Sequence, residues 1–106
     1  MADSAVCLAY LHDDTVSHSW HHSVVNLLMH DASGRQRIIR GGYIAFSSGY
    51  DLERSRNQVV AQFLDNKTAD WLFWVDSDMG FAPDSLERLV QAADPVNAPV
   101  VGGLCF

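Results

Sequence analysis

The chain has 106 residues with 13 acidic against 7 basic, a formal net charge of −6. That length suits one domain, and the acidic balance excludes a nucleic-acid binder driven by phosphate contacts, because the basic residues gather only at Arg35, Arg37 and Arg40. Hydrophobic residues make up 48% and the eleven aromatics are spread along the length, so a packed core is expected rather than disorder. Met1-Ala2-Asp3-Ser4 lacks the basic start of a secretory leader and no apolar run is long enough to span a bilayer, so a cytoplasmic chain with no membrane span is expected. Cys7 and Cys105 both lie in apolar runs without CxxC spacing, which points to reduced buried thiols rather than a disulfide or a zinc ribbon.

In chain order, Ala5 to Leu11 is short, almost wholly apolar and bounded by Asp3 and His12-Asp13-Asp14, which predicts a central strand. Val16, Trp20, Val24, Leu27 and Leu28 fall at helical spacing, so a helix is predicted from about Val16 to Met29. Thr15 or Ser17 is placed to cap it, and Asp31-Ala32-Ser33-Gly34 reads as the turn that ends it near His30-Asp31. The segment from Arg35 to Arg40 takes no clear assignment. Gly41-Gly42 introduces a second predicted strand, Tyr43 to Phe46, followed by the small Ser47-Ser48-Gly49. Asp51 can cap a second helix, in which Leu52, Val59, Val60, Phe63 and Leu64 form the apolar stripe and Asp65-Asn66-Lys67 closes the element. Trp71 to Val75, five consecutive apolar residues, predicts a strand buried on both faces. After Gly80, Pro83 and Asp84 open a third helix with Leu86, Leu89, Val90 and Ala93 on one side, and Asp94-Pro95 ends it. Pro99 to Phe106 reads as a fourth strand. The order β-α-β-α-β-α-β predicts an α/β fold with a mostly parallel sheet. Because the last apolar strand stands at the chain end with no helix after it, the sequence reads as a domain over residues 1–106 that is incomplete at its C-terminus, or whose last strand is covered by a second copy or a partner chain.

The run from Trp71 stops on Asp76-Ser77-Asp78. Carboxylates at the end of a buried strand are costly unless a cation or hydrogen-bond donor receives them. In open α/β sheets, ligands bind at the carboxyl ends of strands. Residues i and i+2 of an extended segment point to the same side, so Asp76 and Asp78 suit a Mg²⁺ or Mn²⁺ that fills its remaining positions with water and phosphate oxygens. The alternative is that the two aspartates cap the turn before Pro83.

Arg54-Ser55-Arg56-Asn57-Gln58-Val59-Val60, the strand ending Val75-Asp76-Ser77-Asp78, and Phe81-Ala82-Pro83-Asp84-Ser85-Leu86 together resemble the nucleotide-sugar-binding half of GT-A-fold glycosyltransferases, especially family 2 and related mannosyltransferases. The shared pattern is an Arg-Asn helix, a strand ending in Asp-x-Asp, and an aromatic-x-Pro turn into a helix. It spans about Asp51 to Phe106. The resemblance implies a Rossmann-like sandwich and a metal-dependent transfer of a sugar from a nucleoside-diphosphate donor to an acceptor hydroxyl. It implies that Asp78 ligates the bridging Mn²⁺ or Mg²⁺, that Asp76 lies near the donor's ribose or sugar, and that Arg56 and Asn57 lie beneath the donor. Physically, Arg56 could equally pair with Asp76 or Asp78, and Asn57 could hold a strand carbonyl. The nucleobase-reading aspartate of the family has no clean counterpart, Asp51 being a late candidate, and the acceptor-binding half with its catalytic base is missing, so the catalytic residues stay unassigned.

Other signals were weaker. His18 and His22 stand four apart, yet no HExxH arrangement or neighbouring cysteine accompanies them, and a solvated helix face is the better reading. A haloacid-dehalogenase-type phosphatase also places Asp-x-Asp after an apolar strand, but there the motif belongs to the first strand and Thr or Val is expected where Gly80 stands. A third reading is a transferase remnant that serves as an interaction or assembly module.

Overall fold

The computed structural model describes residues 5–34, 37–49, 51–67 and 69–103. Strand β1 (Val6–His12) leads to helix α1 (His18–Ser33), strand β2 (Tyr43–Ser47), helix α2 (Leu52–Asn66), strand β3 (Trp71–Trp74) and helix α3 (Ser85–Ala92). The three strands form one sheet in the order β2-β1-β3, and both pairings are parallel. Leu8 lies opposite Tyr43 on one side, and Cys7 opposite Leu72 on the other. The fold is therefore α/β with a parallel sheet, as expected.

β1 is apolar throughout its buried part because both of its faces are covered. Val6, packed with Leu27, Ile39, Leu86 and Val90, belongs to the layer that α1 and α3 build, and Leu8 packs with Trp20, Val24 and Val75 in the same layer. Cys7 and Ala9 face the other way, against Ile44, Val59 and the α2 layer. Period-two alternation thus separates two apolar layers rather than core from solvent. Cys7 is a free thiol whose burial raises its pKa above the ordinary value. Cys105 lies outside the described residues.

α1 begins where Ser17 Oγ accepts the Trp20 amide at 3.1 Å. It runs to Ser33, two residues beyond the expected end at His30-Asp31, because Asp31 is not a turn residue. Its side chain is only 6% exposed and accepts the amides of Ile38 at 2.7 Å and Ile39 at 3.1 Å. This clamp gives residues 37–42 the order that their sequence did not disclose. It seats Ile39 in the core, while Val6 N–H donates to Ile38 O at 2.9 Å and Gly41 N–H to Val6 O at 3.1 Å. A Cβ on Gly41 would stand 2.5 Å from the Ala69 Cβ, so the approach requires glycine.

α2 is capped as expected, Asp51 accepting the Arg54 amide at 3.1 Å, and ends at Lys67 in the left-handed region with φ 53°. Its inward line is narrower than the sequence stripe. Ser55, Val59 and Phe63 face the sheet, whereas Leu52, Val60 and Leu64 are exposed. None of the described helices is long and apolar enough to cross a membrane.

Two expectations about strands are corrected. β3 is not buried on both faces: Trp71, Leu72 and Phe73 are half-buried and Trp74 is 37% exposed, because β3 forms an edge of the described sheet. The predicted strand from Pro99 to Phe106 is not formed over its described part. Residues 99–103 stand outside the sheet and Val100 is 90% exposed, while residues 104–106 lie outside the described residues. The preceding turn accounts for the path. Asp94 Oδ1 accepts the amides of Val96 at 2.8 Å and Asn97 at 3.1 Å, and Asp94 and Ala98 exchange backbone hydrogen bonds of 3.0 and 2.9 Å. The two amides on its side chain hold the Asp94 carboxyl below its ordinary pKa.

Candidate functional site

With β1 in the centre, α1 leaves it toward β2 on one face, and α2 crosses from β2 to β3 on the other. α3, which follows β3, packs in the same layer as α1. The loops beyond the carboxyl ends of the strands are the usual ligand position in open α/β sheets. Asp13 and Asp14 follow β1 there, and Val75-Asp76-Ser77-Asp78 follow β3.

The β3 loop is held by its backbone and its apolar flanks. Val75 N–H continues the ladder to Ala9 O at 3.0 Å, and Met79 N–H donates to Asp76 O at 3.0 Å, closing a turn over Ser77-Asp78. Ser77 O accepts the Ser17 amide at 3.1 Å, which ties this turn to the start of α1. Beyond it, Phe81 N–H donates to Ser23 Oγ at 2.9 Å, and Phe81 packs edge-on to Phe73 with ring centroids 6.0 Å apart. Gly80 passes close to α1, where an added Cβ would lie 3.4 Å from the Ser19 Cβ. Every one of these contacts leaves the Asp76 and Asp78 carboxylates out. Both side chains are exposed, and among the described residues neither takes a hydrogen bond or an ion pair. The turn-capping alternative therefore has no support in the geometry: the turn is closed by main-chain atoms.

The β1 loop is joined to the β2 loop. Ser48 N–H donates to His12 O at 2.8 Å and Ser48 Oγ to Asp13 Oδ1 at 2.9 Å, while Ser55 Oγ on α2 donates to Ser48 O at 3.1 Å. Asp13 thus stands at the same sheet edge as Asp76, a position that sequence reading had treated only as a strand boundary. Its signal was available: an acidic pair following an apolar strand, as at Asp76 and Asp78.

The other site residues are placed more widely. Asp51 serves as the helix cap. Arg56 and Asn57 are both exposed on α2. A shallow, open depression of about 450 Å³ along α2 is lined by Asp51, Glu53, Arg54, Asn57, Gln58 and Ala61. It brings Asp51 and Asn57 together but includes neither Arg56 nor Asp76 nor Asp78. His30 pairs with Glu87 at 2.9 Å and Arg37 with Asp31 at 3.8 Å, while Arg56, for which pairing with an Asp-x-Asp carboxylate was one alternative beside a phosphate contact, makes no such pair among the described residues.

No group of three or more His, Cys, Asp or Glu side chains comes together among the described residues in a way that would hold a metal by protein atoms alone. Asp76 and Asp78 supply oxygen donors only. Such a pair fits a hard cation that takes most of its shell from water and phosphate, as Mg²⁺ and Mn²⁺ do. Comparison with models of protein families, with curated proteins and with solved structures gives no match to this chain.

Proposed function

We propose that the chain is the donor-binding part of a metal-dependent glycosyltransferase, in which Asp76 and Asp78 hold Mn²⁺ or Mg²⁺ against the diphosphate of a nucleoside-diphosphate sugar. One observation carries this reading. Two carboxylates separated by one serine stand exposed, and unengaged among the described residues, beyond the carboxyl end of β3, while Asp31, Asp51 and Asp94 are all engaged by backbone amides. A cation held by Asp76 and Asp78 would supply Lewis-acid neutralisation of a leaving diphosphate. Arg56 and Asn57, from the Arg-Asn helix, are assigned to the donor on the resemblance alone, and the attacking acceptor hydroxyl and its base are left unassigned.

Titration calorimetry with a nucleoside diphosphate, with and without Mn²⁺, tests the proposal. Binding that requires Mn²⁺ and falls at least about ten-fold in Asp76→Asn and Asp78→Asn supports it. Equal or absent binding in both conditions, in a folded sample, overturns it.

The exposed outer side of β3 at Trp74 favours a second reading, an assembly module whose β3 edge is covered by a second copy or another chain. A monodisperse oligomer in light scattering, without nucleotide affinity, would select this reading over the first.

A further inference from the structure

α1 presents a second arrangement of ligating side chains, distinct from the Asp76–Asp78 turn. His18 and His22 are both exposed, and their rings lie over one another with centroids 6.0 Å apart and planes 22° apart. The sequence alone places them four apart; the structure adds that both rings are exposed and stacked within reach of one another. Near-parallel rings keep their in-plane lone pairs roughly parallel, so a shared ion requires the exposed side chains to turn. Two imidazoles one helical turn apart then direct one ring nitrogen each toward a common point, as zinc-binding helices do with metal–nitrogen distances of about 2.0–2.1 Å.

We propose that His18 and His22 form a two-point chelate for a borderline divalent transition metal, Ni²⁺, Cu²⁺ or Zn²⁺, with water completing its coordination. The donor chemistry separates this site from the first. Imidazole nitrogens favour the later first-row metals, whereas the oxygen donors Asp76 and Asp78 suit Mg²⁺ and Mn²⁺.

Two local features set how strong the chelate is. The pair sits in the first turns of α1, where the helix dipole disfavours a cation, while the net charge of −6 favours one at longer range. Asn26 Nδ2 lies 3.1 Å from His22 Nε2, so an approaching metal displaces the amide or binds through the other ring nitrogen. Both features make this a weak site rather than a closed structural one. Its consequence reaches inward all the same. Chelation requires the first turns of α1 to be helical, and the same stretch carries the Ser17 amide that donates to Ser77 O and the Ser23 hydroxyl that accepts from Phe81. A metal on the outer face of α1 therefore stiffens the support of the Asp76–Ser77–Asp78 turn.

The test uses Ni²⁺ alone, added to the whole chain, with calorimetric titration and thermal unfolding as readouts. Expected are one bound ion per chain and a rise in Tm with Ni²⁺ concentration, because a ligand of the native state stabilises it by mass action. His18→Ala and His22→Ala should each lower the affinity at least ten-fold. His30→Ala, two turns further along the same helix, should leave it within about two-fold, as should the double variant Asp76→Asn/Asp78→Asn. Should either alanine variant lose its helical circular dichroism before metal is added, His18→Gln and His22→Gln replace them. Unchanged Ni²⁺ affinity in the His18 and His22 variants, or an equal loss in His30→Ala, overturns the proposal. A loss confined to the aspartate variant would also overturn it, by assigning the ion to the Asp76–Asp78 turn.

Discussion

Asp31 and the Asp76–Asp78 pair, at opposite ends of the sheet, are used in opposite ways. At the amino end, Asp31 is buried and accepts the amides of Ile38 and Ile39, and through them it fixes the segment that runs beside the start of β1. At the carboxyl end, Asp76 and Asp78 are exposed and the turn they occupy is closed by backbone atoms. A carboxylate that orders a loop is occupied by the fold. A carboxylate left open on a loop that something else has ordered is available for a ligand. The amino end should accordingly answer to mutation through stability and the carboxyl end through binding.

Four substitutions test that division. The largest effect is expected at Asp31→Ala, which leaves two inward amides without their charged acceptor and should cost about 3 kcal/mol in denaturant unfolding. A loss below about 1 kcal/mol would place the order of residues 37–42 elsewhere and break the comparison. Gly41→Ala, at the same end, pushes a methyl group against Ala69 and should cost about 2 kcal/mol unless the backbone shifts. Ser17→Ala removes the cap of α1 and should cost about 1 kcal/mol. Because Ser17 also donates through its backbone amide to Ser77 O, which the substitution keeps, nucleotide binding should survive it. The smallest stability change is expected in Asp76→Asn/Asp78→Asn, within about 0.5 kcal/mol of the parent, since neither side chain has a partner among the described residues to lose. A stability loss several-fold above this limit would mean that the turn depends on its carboxylates after all.

The order of the elements was legible in the sequence because periodicity is dictated by burial on a fixed geometry. Trp20, Val24 and Leu27 recur at the helical interval, and Val6 to Ala9 form an unbroken apolar run because α1 and α2 cover opposite faces of β1. What escaped was set by contacts distant in sequence. Asp31 looks like a turn residue until Ile38 and Ile39 are seen to fold back onto it. Leu52 and Leu64 fit a helical stripe, yet they lie outside the narrow line that the small β2-β1-β3 sheet can cover. Trp71 to Trp74 read as a fully buried strand because aromatic content does not reveal whether a neighbour pairs on the far side. At the site, the Asp76-Ser77-Asp78 spacing and its position after a strand were legible. The exposure of the two carboxylates and the way Ser17 and Ser23 brace the turn were not, because both depend on how α1 packs beside it.

The pairing of β1 has a consequence for the order in which the protein assembles. Its ladder to β2 can form as soon as Tyr43 to Ser47 are available, but its other edge waits for Trp71 to Trp74, and the Ala5 amide finds the Asp70 carboxylate across 65 positions of chain. Closing so long a loop carries an entropic penalty before any contact rewards it. On a ribosome, the most buried strand of the described sheet must therefore keep one open edge in water while α2 is being made, and the β1 edge is the surface at which a growing chain is most exposed to pairing with the wrong neighbour.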